Sequence, residues 1–154
     1  MNSDPVREEA VRRTAAVLNP AYKYDRMLWL KEQVRTRDEH DFENPVKRFP
    51  IKPYTGHLVK LFEDEQSFNL AKVRQIQATW LFCALAVHTI QLFDYKLALL
   101  ISKKQEDAFK LIERMRFIYS HQYIWLRNLC PLDRQMRDQP QGHLYMRNGS
   151  SAMG

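Results

Sequence analysis

Glycine and proline are scarce in this chain, with four and seven among 154 residues, and they are unevenly placed. From His57 to Cys130 there is neither. A stretch of that length without a breaker predicts long helices. It leaves no convincing strand. Cysteine is scarcer still. Cys83 and Cys130 stand far apart in no C-x-x-C pattern, which excludes a disulfide framework and a cysteine zinc site. Charge of one sign is not concentrated either. The net charge is +6, but residues 1–56, 57–104 and 105–154 each contribute +2, with acids interleaved throughout. Phosphate recognition draws on a basic face or tail, so nucleic acid is disfavoured as a partner.

Catalytic signatures are missing as well. No P-loop, G-x-G-x-x-G or G-x-S-x-G occurs. His57, His121 and His143 lack an H-x-x-x-H partner, and His40-Asp41 has no second ligand placed by spacing. The sequence therefore predicts no catalytic residue, no cofactor and no metal site, and reads as a non-enzyme. The N-terminus has no apolar segment of the secretory type, and Asp4, Glu8 and Glu9 are acidic where transit peptides avoid acids.

What is present is helical pattern. Residues 1–40 read as two amphipathic helices, the first opened by Ser3 or Asp4, Pro5, Glu8 and Glu9. Residues 41–56 hold three prolines and a glycine and read as an extended arm anchored by Phe42, Phe49, Ile51 and Tyr54. Residues 57–104 read as a helical region. Residues 105–130 carry Leu111, Met115, Ile118, Trp125 and Leu129 at helical spacing, mixed with arginines and aromatics. Residues 131–154 are polar and aperiodic and read as an extended or disordered tail. The predicted fold class is all-α: long helices, one of them transmembrane, with an extended arm and tail.

The membrane expectation rests on ATWLFCALAVHTIQLFDYKLALLI, Ala78 to Ile101. Its uncharged part, Ala78 to Phe93, falls short of the roughly 20 residues of a typical span. A span of about residues 75–95 would put Asp94 at the interface, with Trp80, Tyr95 and Lys96 as interface anchors. Ala84, His88, Gln91 and Tyr95 follow one another at four, three and four residues and form a small-and-polar seam. The remaining circumference is apolar, so the helix needs enclosure by lipid or protein, with the seam packed on a neighbouring helix. Lys103, Lys104, Lys110, Arg114 and Arg116 outweigh Lys72 and Arg74, which puts the C-terminal part on the cytoplasmic or matrix side.

Three features, ENPVKRFPIKPYTG, ATWLFCALAVHTIQLF and RMRFIYSHQYIWLRN, give the chain a recognisable layout. It resembles the supernumerary single-span subunits of mitochondrial respiratory-chain complexes: a polar arm, one short span and a basic aromatic extension. That resemblance implies a non-catalytic accessory subunit that stabilises an inner mitochondrial membrane complex in electron transport. It implies other subunits and membrane lipid as partners. The alternative expectation is a soluble helical adaptor or an RNA- or ribosome-associated protein, with Ala78–Ile101 buried in a small bundle.

Overall fold

The computed structural model describes residues 20–38, 41–71, 77–133 and 142–154. The helix expected nearest the N-terminus, Lys72 and Arg74, and the first residues of the expected span lie outside them. The described residues form a mixed α/β fold, which corrects the all-α expectation. Helical residues 20–24 come first. Then follow α1 (Arg26–Gln33), β1 (Arg35–Arg37), β2 (Val46–Arg48), α2 (Pro53–Asp64) and α3 (Ala78–Leu92). The order continues with β3 (Leu97–Leu99), α4 (Gln105–Ser120), α5 (Ile124–Leu129), β4 (His143–Tyr145) and β5 (Ser151–Met153).

The second expected helix is interrupted at Asp25, whose carboxylate accepts the Leu28 N–H at 2.8 Å and starts α1. The chain turns extended at Val34 and enters β1. β1 and β2 pair antiparallel, Arg35 with Arg48, Thr36 with Lys47 and Arg37 with Val46. Part of the expected arm is therefore a strand. The arm's last four residues enter α2, where Pro53 takes the first helical position and the Thr55 hydroxyl accepts the Lys52 N–H at 3.0 Å.

The largest correction concerns α3. It has 15 residues, about 22 Å at 1.5 Å per residue, against a hydrocarbon core of about 30 Å. No helix among the described residues is long and apolar enough to cross a membrane. Its apolar circumference is enclosed by protein instead. Leu81, Leu85 and Ile90 are fully buried, in one core with Trp29 and Leu30 of α1, Ile112, Met115 and Ile118 of α4, and Leu144 and Ala152 of the strands.

The residues that end α3 come from far along the chain. The Asn148 side-chain amide donates to the carbonyls of Ile90, Gln91 and Phe93 at 3.0, 3.3 and 3.1 Å. The Ser150 hydroxyl donates to the Phe93 carbonyl at 2.7 Å. These groups satisfy carbonyls that a helix end leaves without partners. The expected tail thus serves as a cap. It also supplies strands: β3 pairs parallel with β5, β5 antiparallel with β4, and the order is β3-β5-β4. Gly149 closes the β4–β5 turn at φ +80, where an added Cβ would meet the Tyr95 ring at 2.7 Å. Only glycine suits both constraints.

Candidate functional site

The seam residues separate. Ala84, His88 and Gln91 point into the core, fully buried or nearly so. Tyr95 lies beyond the end of α3, in a turn at φ +55, and is 86% exposed. Gln91 makes a reciprocal amide pair with Gln122, the two bonds measuring 2.7 and 2.9 Å. Gln122 reaches it because the chain turns at 121–123 between α4 and α5, where a continuous helix had been expected. His88 Nε2 lies 2.7 Å from the Tyr22 carbonyl. A carbonyl only accepts, so Nε2 carries the proton and donates. The Trp29 ring meets His88 edge-on at 5.1 Å.

This interior holds its groups neutral. Burial pulls His88 down to about 4, the Tyr22 carbonyl and the Arg26 charge being lesser influences of opposite sign. Burial pushes the Cys83 thiol up to about 12 and the Cys130 thiol up to about 11. The Tyr22 phenol donates to Glu32, and burial with that neighbour pushes it up to about 12. Gln33 donates to the same phenol oxygen at 3.0 Å and accepts the Tyr123 N–H at 3.2 Å. These bonds tie α1 to α5 and leave no poised nucleophile or base among them. Among the described residues, no three His, Cys, Asp or Glu side chains gather to hold a metal ion.

The expected interface anchors also lie apart. Trp80 is half-buried, with its ring edge-on to Phe117 at 5.7 Å and the Arg114 guanidinium 5.7 Å from its centre. Tyr95 and Lys96 are exposed past the opposite end of α3. With α3 enclosed by protein, these residues have no span to flank.

A cavity of 390 Å³ opens at the C-terminal end of α3, lined by Lys23, Gln91, Asp94, Cys130, Arg147 and Asn148 among others. Its amides are already engaged, Gln91 with Gln122 and Asn148 with backbone carbonyls. The Lys23 ammonium stands 5.0 Å from the centre of the Phe93 ring. Opposite charges and committed amides leave little in it to select a ligand.

One face of β3 packs nothing among the described residues. Leu97, Leu99 and Ile101, at every second position, are 64%, 63% and 82% exposed. Ala98 and Leu100, between them, pack on the core. Successive strand side chains point to opposite faces, so one face of β3 is seated and the other bares an apolar row. Sequence reasoning missed this row by reading residues 57–104 as helical throughout, with Leu97, Leu99 and Ile101 just past the expected span of about residues 75–95. The signal available was Asp94-Tyr95-Lys96, polar enough to end the helix and followed by alternation too short to stand out. Neither a protein-family model nor a curated protein matches the chain.

Proposed function

We propose that this protein is a non-catalytic accessory subunit, held in a larger assembly by the apolar outer face of the β3-β5-β4 sheet. The observation that carries the reading is the row Leu97, Leu99 and Ile101, bare along β3 and just past it, on a strand whose other face is rooted in the core. A contiguous exposed apolar patch marks an interaction site, whereas scattered apolar residues do not. The neutral interior supports the same reading. His88 and both cysteines are protonated or deprotonated so as to carry no charge near neutral pH, which suits packing and not proton or group transfer. An inner mitochondrial membrane complex is the proposed setting from the sequence resemblance alone, whose single span is a core helix in this structure. With α3 a core helix, attachment there falls to protein contacts.

Blue-native electrophoresis of mild detergent extracts, blotted for the tagged chain, tests this. The wild-type chain is expected in a band well above twice its own 18.4 kDa. The Leu97→Ser/Leu99→Ser variant is expected to leave that band with its circular dichroism unchanged. A wild-type chain running at its own mass, in extracts whose large complexes stay intact, would sink the proposal.

A further inference from the structure

β3 has an open edge as well as an apolar face. It is terminal in the order β3-β5-β4, and among the described residues only β5 pairs with it. The Ser151 N–H donates to the Lys96 carbonyl and the Leu100 N–H to the Met153 carbonyl, both at 2.8 Å. Peptide groups alternate sides along a strand, so even-numbered residues face β5. The N–H and C=O groups of Leu97, Leu99 and Ile101 therefore face the open edge. The other edge of the sheet is covered: Leu132 bridges to Met146, and the Arg116 guanidinium donates to the His143 carbonyl at 2.5 Å.

We infer that the open edge of β3 pairs antiparallel with β3 of a second copy of this chain, about a two-fold axis at Leu99. Leu97 then faces Ile101 of the other copy, and Leu99 faces its own equivalent. All of these are residues whose peptide groups point outward, as a hydrogen-bonded antiparallel pair requires. The charges fix the direction. Asp94 lies before the row, and Lys103 and Lys104 lie after it, all exposed. Antiparallel pairing about Leu99 brings the turn holding Asp94 to the same end as the bend holding Lys103 and Lys104 of the partner copy, twice over. Parallel pairing would put Asp94 beside Asp94, and like charges directly opposite are unfavourable. A two-fold contact of this kind is self-complementary and closes at two copies.

No charge interrupts the outward row, and charged side chains are the usual defence of an edge strand. Pairing also joins two apolar rows into one broader face. The inference goes beyond the docking proposal, because it stands on the edge of β3 and not on its face, and either can fail alone. An edge this short buries less than a standard interface, so the dimer should be concentration-dependent.

The test is light scattering coupled to gel filtration on the full chain over a dilution series. Wild type is expected at twice 18.4 kDa when concentrated, falling to 18.4 kDa on dilution. Leu99→Lys sets two ammonium groups face to face at the axis and is expected to stay monomeric at every concentration. Asp94→Lys, on the exposed turn, buries no new side chain and is expected to raise the dimer Kd about tenfold with its urea midpoint near that of wild type. The exchange Asp94→Lys/Lys104→Asp is expected to restore wild-type association, which only antiparallel pairing allows. A wild type that is monomeric throughout overturns the inference while leaving a large blue-native band unexplained by it. A dimer indifferent to both Leu99→Lys and Asp94→Lys overturns it too, by placing the contact elsewhere.

Discussion

β2 and β3 are both three-residue edge strands with much of their surface bare, yet they are built to opposite ends. β2 reads Val46-Lys47-Arg48 and is preceded by Pro45 and followed, one residue on, by Pro50. Two of its three side chains are charged, and prolines on either side carry no N–H for a new partner. These are the standard devices that keep an edge from pairing. β3 reads Leu97-Ala98-Leu99, with Ile101 extending its outer row, and has no proline beside it and no charge within it, though Lys96 precedes it. One fold thus defends one edge with charge and proline and leaves the other apolar, which is the contrast on which the proposed contact rests.

The two sheets also differ in how deeply they are rooted. Leu144 and Ala152 of the β3-β5-β4 sheet are fully buried, whereas the three residues of β2 are all exposed. Leu144→Ala should therefore have the largest effect, a loss of about 2–5 kcal/mol in urea denaturation. Leu99→Ala in the same sheet should stay within about 0.5 kcal/mol, since its side chain faces solvent in the single chain. Equal losses for the two would break the distinction between a seated and a bare face.

His88 comes next in size, because it joins the two halves being compared. It lies on α3, which leads into β3, and bonds the Tyr22 carbonyl just ahead of α1, which leads into β1. Its folded value of about 4 lies below the ordinary 6.5, so the folded chain refuses a proton that the unfolded chain accepts. Above pH 6.5 neither state is protonated and stability is full. As pH falls from 6.5 to about 4, stability drops, and below that it levels off. The full drop attributable to this group is about 3 kcal/mol. Urea midpoints of wild type and His88→Gln, compared at several pH values across that window, should converge as the pH falls. Parallel curves would mean that His88 does not link the layers in the way described.

Much of the helical content was legible locally. The spacing of Met115 and Ile118 marks the inner face of α4, although its neighbour there is Ile112 and not the expected Leu111, which is only partly buried. The small and polar positions Ala84, His88 and Gln91 share a face by spacing alone, and all three are buried in the core. The ends of elements were not legible, because their causes lie far off in sequence. α3 stops without glycine or proline since Asn148 and Ser150, more than fifty residues later, take its last carbonyls. The strands are three residues long, which gives a period of two no room to show. The apolar circumference of α3 was read as lipid-facing because its neighbours looked thinly amphipathic. Short strands such as Leu144 and Ala152 supply part of that enclosure, and they carry no pattern of their own.

The smallest expected effect falls on the defended edge. The Lys47 ammonium stands 2.8 Å from Asp38 and 2.9 Å from Asp41, and its pKa is raised chiefly by the bond to Asp38. The arrangement looks like a clasp across the hairpin loop, but the lysine side chain is 45% exposed. Water and salt screen such pairs, and ordering a long side chain offsets much of the attraction. Lys47→Ala should therefore leave the urea midpoint within its experimental error, at low and at high salt. If the midpoint falls clearly at low salt and recovers little on adding salt, the lysine holds the hairpin together. Its charge would then be structural and not a guard on the edge, and the contrast between β2 and β3 would lose one of its two supports.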